Sequence, residues 1–196
     1  MKRYDGPAKD DPKPMAGGSH NKKHTGSELY NFHNNHGWVY GFIQPASQGR
    51  RTLRTLNLIR IAPGQNEAEL RNVLIVFVAK SEGTGPQVVV GWYRNATVFG
   101  TERSGTLHGQ SRRYFARTKS SHACLLRADA RDCKVKRKEI GIGQSNVSYV
   151  YSDEGELRPL PGLRRVLSLI EATRPEDLQS FCVECHSVPT KRKSRG

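Results

Sequence analysis

Two sets of side chains in this 196-residue chain have the types and spacing to do chemistry. The first is basic. Between residues 103 and 138 stand eleven arginines and lysines against only Asp129 and Asp132, which accounts for nine of the net +14 charges. Two runs are dense: Arg112, Arg113, Arg117 and Lys119, interleaved with Tyr114 and Phe115, and then Lys134, Lys136, Arg137 and Lys138. Clustered guanidinium and ammonium groups neutralise phosphates, and each neutralised phosphate makes affinity fall with salt. These eight residues form the candidate phosphate-binding set.

The second set is aromatic. Trp38 follows Gly37, Tyr40 precedes Gly41, and Trp92 and Tyr93 follow Gly91. Flat rings stack on unpaired or extruded bases at about 1–3 kcal/mol per base, and a nearby amide such as Asn95 can read a base edge. Trp38, Tyr40, Trp92, Tyr93 and Asn95 are therefore the candidate base-binding set. The competing reading makes the tryptophans ordinary core residues.

Other chemistries find little support. No Gly-Lys-Ser/Thr phosphate loop occurs, Gly141-Ile-Gly143 lacks the third glycine of a dinucleotide loop, and there is no Gly-x-Ser-x-Gly elbow. His20, His24, His33 and His36 precede the first strand without the companion residues of a His-Asn-His nuclease. A small metal-dependent nuclease using His33 or His36 is the enzymatic alternative, and a sequence-independent basic scaffold is the other. Cys182-Val-Glu-Cys185-His186 spells a haem-attachment pattern, or half a zinc site that Cys124 and Cys133 would have to complete. The spacing of Cys124 and Cys133 fits no zinc pair, so the expectation is buried or idle thiols, with no catalytic residue, metal or cofactor.

Several elements must position these groups. Residues 1–27 are poor in aliphatic side chains and read as a disordered basic arm, 28–186 as one globular domain, and 187–196 as a basic tail. No apolar run approaches the roughly 18 residues of a membrane helix, and the N-terminus lacks an apolar signal core. The expectation is a soluble cytoplasmic protein with reduced cysteines and no membrane partner. Gly37–Gln44 alternates Trp38, Tyr40 and Phe42 against Val39, Gly41 and Ile43, as a half-buried strand does. Residues 55–61 give a second strand, and 66–71 one helical turn. Val73–Ala79, apolar on both faces, reads as the central covered strand. Residues 87–99 form another, with Val88, Val90, Trp92, Ala96 and Val98 on one face and Gly91, Tyr93, Asn95 and Thr97 on the other. Gly91 marks a bulge or a close approach to the backbone. Weaker strands fall at 114–118 and 123–126. A helix spans 160–173, with Pro161 at its start and Leu163, Val166, Leu167 and Ile170 on one stripe, and a second begins at Pro175. The fold class is α+β: a curved, mostly antiparallel sheet or small partly closed barrel with C-terminal helices.

At 37–44, 73–79 and 89–98 the chain resembles the modified-base readers of the PUA-like superfamily, the EVE and YTH type found in methylation-dependent restriction systems. The resemblance implies a curved sheet or small barrel and a pocket where an extruded methylated base sits among aromatic walls. Trp38, Trp92 and Tyr93 would be the walls and Asn95 the edge reader. It also favours DNA over RNA as partner. The chain carries no recognisable nuclease or helicase domain, so the resemblance implies either a free-standing reader or one whose nuclease or helicase effector is a separate chain. Together these readings make the protein a nucleic-acid-binding module, non-enzymatic, that grips phosphates with its basic residues and reads a modified or flipped base.

Overall fold

The computed structural model describes residues 30–43, 45, 54–65, 68–80, 87–107, 109–142 and 147–178. Among them six strands form one sheet: β1 (Trp38–Gly41), β2 (Glu69–Lys80), β3 (Gln87–Leu107), β4 (Gln110–Lys119), β5 (Ala123–Leu125) and β6 (Lys134–Val135). Every strand pairing is antiparallel. The order is β1-β4-β3-β2, with β5 and β6 pairing further along β3. The sheet is thus open, ending at β1 and β2, and no barrel closes among the described residues. The α-helix α1 (Pro161–Ala172) packs on one face. No described helix is long and apolar enough to cross a membrane.

β3 is the central strand, and bulges bend it. Val78 faces Val89 but Phe77 faces Gly91, so Val90 is an extra residue on β3. A second extra residue falls between Tyr93 and Ala96, where Asn95 has φ 50°, and a third falls on β2 where Asn72 has φ 59°. Asparagine tolerates this left-handed region better than most residues, which suits it to a bulge. The Val90 bulge resets the alternation. Val88, Val90, Tyr93 and Ala96 share one core cluster with Phe32, Val39 and Leu125, whereas Val89 and Trp92 pack with Val135 and with Val166 and Ile170 of α1.

Gly91 explains itself at this bend. A Cβ there would meet the Cys124 carbonyl oxygen and lie 2.8 Å from Phe32 Cζ. What approaches the backbone is β5 and a core phenylalanine, and the bulge lies beside it. On the tyrosine face Phe32, Phe77 and Tyr93 make edge and tilted ring contacts at 4.8–5.4 Å. α1 begins at Pro161, whose missing N–H costs nothing there, and Arg94 Nη2 donates to the Ile170 carbonyl (3.2 Å) near the other end.

Four expectations need correcting. Residues 73–79 are not the central strand: β2 pairs only with β3, and Leu74 is 41% exposed. An apolar run by itself fixes neither burial on both faces nor position in the sheet order. Residues 55–61 make only a bridge from Thr55 to Thr101 and a 3-10 turn at Leu58–Arg60. β2 already begins at Glu69, inside the expected helical turn at 66–71. The second C-terminal helix is a 3-10 turn, Pro175–Asp177. The arm at 1–27, the tail at 187–196, Cys182, Cys185 and His186 lie outside the described residues.

Candidate functional site

The antiparallel pairing of β1 with β4 sets Trp38 opposite Lys119 and Tyr40 opposite Arg117. Directly opposed residues project to the same side, so these four share one face, while Val39 and Gly41 turn inward. Trp38 is 37% exposed, and the Arg117 guanidinium lies over its ring with Cζ 5.4 Å from the centroid. Tyr40 is half-buried and meets Tyr114 edge-on at 4.9 Å. Burial, followed by the neighbouring Tyr114, pushes the Tyr40 hydroxyl above its ordinary value against the pull of Arg117. At neutral pH it remains a hydrogen-bond donor.

The segment before β1 adds to this face. His36 (φ 53°) and Gly37 (φ 82°) form a two-residue hairpin turn, closed by mutual backbone bonds between Asn35 and Trp38 of 2.7 and 3.2 Å. Asn31 then ties Tyr30–His33 to the end of β1: the Phe42 N–H donates to Asn31 Oδ1 (2.7 Å), and Asn31 Nδ2 donates to the Phe42 carbonyl (3.2 Å). Between this segment and the β3–β4 hairpin lies a cleft of about 120 Å³. Tyr30, His33, Asn35 and Tyr40 line one side, Ser111, Arg112 and Arg113 the other, with buried Phe42 and Leu107 also in its lining. The Arg112 guanidinium stacks on Tyr30, its Cζ 3.2 Å from the ring centroid, and its Nη2 donates to Gln110 Oε1 (2.8 Å). Its Nε is buried without a hydrogen-bond partner. Arg113 pairs with Glu102 through Nη1 at 3.1 Å.

The structure thus gathers Trp38, Tyr40, Arg112, Arg113, Arg117 and Lys119 into one continuous region. It removes Trp92 and Tyr93 from it: they are 1% and 0% exposed, on opposite sides of β3. As placed, neither can wall a surface pocket for a base. Asn95 is exposed at its bulge, two residues beyond the Thr97–Arg117 pair, where its left-handed backbone accounts for the residue type. Lys134, Lys136, Arg137 and Lys138 are exposed but lie elsewhere. Lys134 pairs with Val88 and Arg117 with Thr97, nine residues apart on β3. At about 3.3 Å per residue that separates the two basic groups by roughly 30 Å. Arg131 is buried, and its Nε and Nη2 both donate to the Leu126 carbonyl, so it adds nothing to the basic surface.

Of the histidines, His33 lines the cleft and His36 occupies the exposed turn, while His20 and His24 lie outside the described residues. Cys124 and Cys133 pack with the Trp92 cluster, and burial pushes both thiols up. No group of three His, Cys, Asp or Glu residues suited to a metal ion occurs among the described residues. Tyr30, Asn35 and Ser111 belong to the cleft, and no motif in the sequence had singled them out. No protein-family model, curated protein or solved structure matches the chain.

Proposed function

We propose that the protein binds nucleic acid through the β1–β4 face, with Arg117, Lys119, Arg112 and Arg113 neutralising phosphates and Trp38 and Tyr40 stacking on an unpaired or extruded base. The observation that carries this reading is the sharing of one exposed face by Trp38, Tyr40, Arg117 and Lys119 through the β1–β4 register. Aromatic platforms set among cations are what single strands and flipped bases require, since stacking serves any base and charge tracks the backbone. Among the described residues Glu102 is the one acid paired within this region, so the field they set up there is positive.

Finer parts of the proposal rest on the family resemblance. The open antiparallel sheet serves as a PUA-like platform, DNA is the favoured strand, a methylated or flipped base is read, and a separate nuclease or helicase chain in the cytoplasm supplies the effector. The base reader narrows to Trp38 and Tyr40, because the other two rings are core.

The test is a salt titration of binding to matched single-stranded and duplex oligonucleotides, with unmodified and methylated bases. Replacing Arg117 and Lys119 together by alanine should make the slope of log K against log salt shallower by about 1.4 on single strands, since each lost phosphate contact removes about 0.7. An unchanged slope would refute the assignment. Equal binding of all bases at every salt concentration would leave a sequence-independent scaffold.

A further inference from the structure

The cleft beside the stacking face has room for something smaller than a base. Its volume of about 120 Å³ is below the roughly 150 Å³ of a cavity that takes one benzene ring. A tetrahedral oxyanion fits that measure; a purine does not. Its lining is also that of an anion site. Two consecutive arginines line it, and among the described residues the only acid paired with either is Glu102, 3.1 Å from Arg113 Nη1.

Arg112 is set in place before any ligand arrives. Stacking on Tyr30 fixes the guanidinium plane, Gln110 takes Nη2, and the buried Nε–H is left without an acceptor. A guanidinium already held in place offers an incoming anion charge-assisted hydrogen bonds at little ordering cost. Ser111 contributes a hydroxyl, and Tyr40, kept protonated by its burial, contributes another. Phe42 and Leu107, apolar and buried, also line the cleft. A phosphomonoester, joined to its strand at one side and carrying more charge than an internal phosphodiester, suits a small cleft reached by two arginines.

We infer that this cleft binds the terminal phosphomonoester of a nucleic-acid strand, with Arg112 as the principal anchor and Arg113 and Ser111 beside it. The inference rests on the nucleic-acid reading above and deepens it: the protein prefers strand ends that carry a phosphate. The strand runs from the cleft across Tyr40 toward Trp38 and Arg117, where its next bases stack.

The experiment compares binding of one single-stranded ten-mer with a 5′-phosphate, a 3′-phosphate or hydroxyls at both ends, and measures inorganic phosphate alone by calorimetry. One phosphorylated end should bind about tenfold more tightly than the hydroxyl-ended strand, the size of one charge-assisted hydrogen bond. Arg112→Ala and Arg112→Lys should both erase that difference, because lysine keeps the charge but not the planar fork. Equal binding of the three strands would overturn the inference and leave the nucleic-acid reading intact; binding of none would overturn both. Inorganic phosphate binding without any end preference would assign the cleft to a free anion and overturn the strand-end claim. The wild-type comparison of ends needs no variant, so it decides the matter even if an Arg112 substitution prevents folding.

Discussion

Replacing Trp38 by alanine should weaken single-strand binding without altering its salt dependence. Stacking contributes about 1–3 kcal/mol per base. Trp38 is 37% exposed and Arg117 already lies over its ring, so one ring face remains for one base. The lower part of that range applies, about 1–2 kcal/mol, or roughly a 5- to 30-fold rise in Kd. Stability should change by less than about 1 kcal/mol, because the side chain sits on an edge strand and loses mainly one cation–π contact. Fluorescence offers a direct assay. The chain has two tryptophans, and Trp92 is 1% exposed, so quenching on binding should come from Trp38. Trp38→Phe should keep part of the affinity and lose the quench. Binding of Trp38→Ala within about twofold of wild type, or a full quench in Trp38→Phe, would refute the stacking platform.

Gly91→Ala should destabilise the fold by about 2–3 kcal/mol and lower Tm by about 5–10 °C, since the new methyl meets the Cys124 carbonyl and Phe32, neither free to retreat; calorimetry showing a shift below about 2 °C would contradict the packing described. At Asn95, glycine should be tolerated and valine should cost about 1–2 kcal/mol, because the backbone is left-handed at φ 50°. Loss of base preference in Asn95→Gly would instead return this residue to the reading site. Glu139 accepts the Lys136 N–H and lies 3.3 Å from Arg165 Nη1, and these contacts hold its carboxyl below its ordinary value of 4.5. With a depressed folded value, its contribution to stability is present above about pH 4.5 and is lost as pH falls through the folded value. Glu139→Gln should therefore lower Tm at pH 7, and the gap should narrow as pH falls and the carboxyl takes up its proton; a gap that does not narrow in acid would rule this account out.

Local pattern carried some of the fold. The stripe Leu163, Val166, Leu167 and Ile170 placed α1 within a residue at each end, and the alternation from Trp38 to Gly41 sorted inward from outward side chains. Pattern failed where pairing intervened. Trp92 looked as though it shared a face with Val88 and Val90, but the extra residue at Val90 sends it to the opposite side, and that bulge is visible only against β2. Two of the four candidate rings proved to be core, and the sequence could not show it: a glycine followed by two rings has the same appearance whether the rings face a ligand or a core.

The amino-acid order alone determined the α+β class, the helix, the concentration of charge between 103 and 138, and the lack of a nucleotide-loop or serine-elbow motif, because these depend on composition and on spacing within one segment. Which cations stand beside which rings was decided by tertiary structure. Trp38 and Arg117 are 79 residues apart and meet only through the β1–β4 register, and the cleft exists only where the turn at Tyr30–His33 meets the β3–β4 hairpin. A site assembled from distant segments leaves no local period in the chain, since its geometry is set by strand register and by the bulges that shift it.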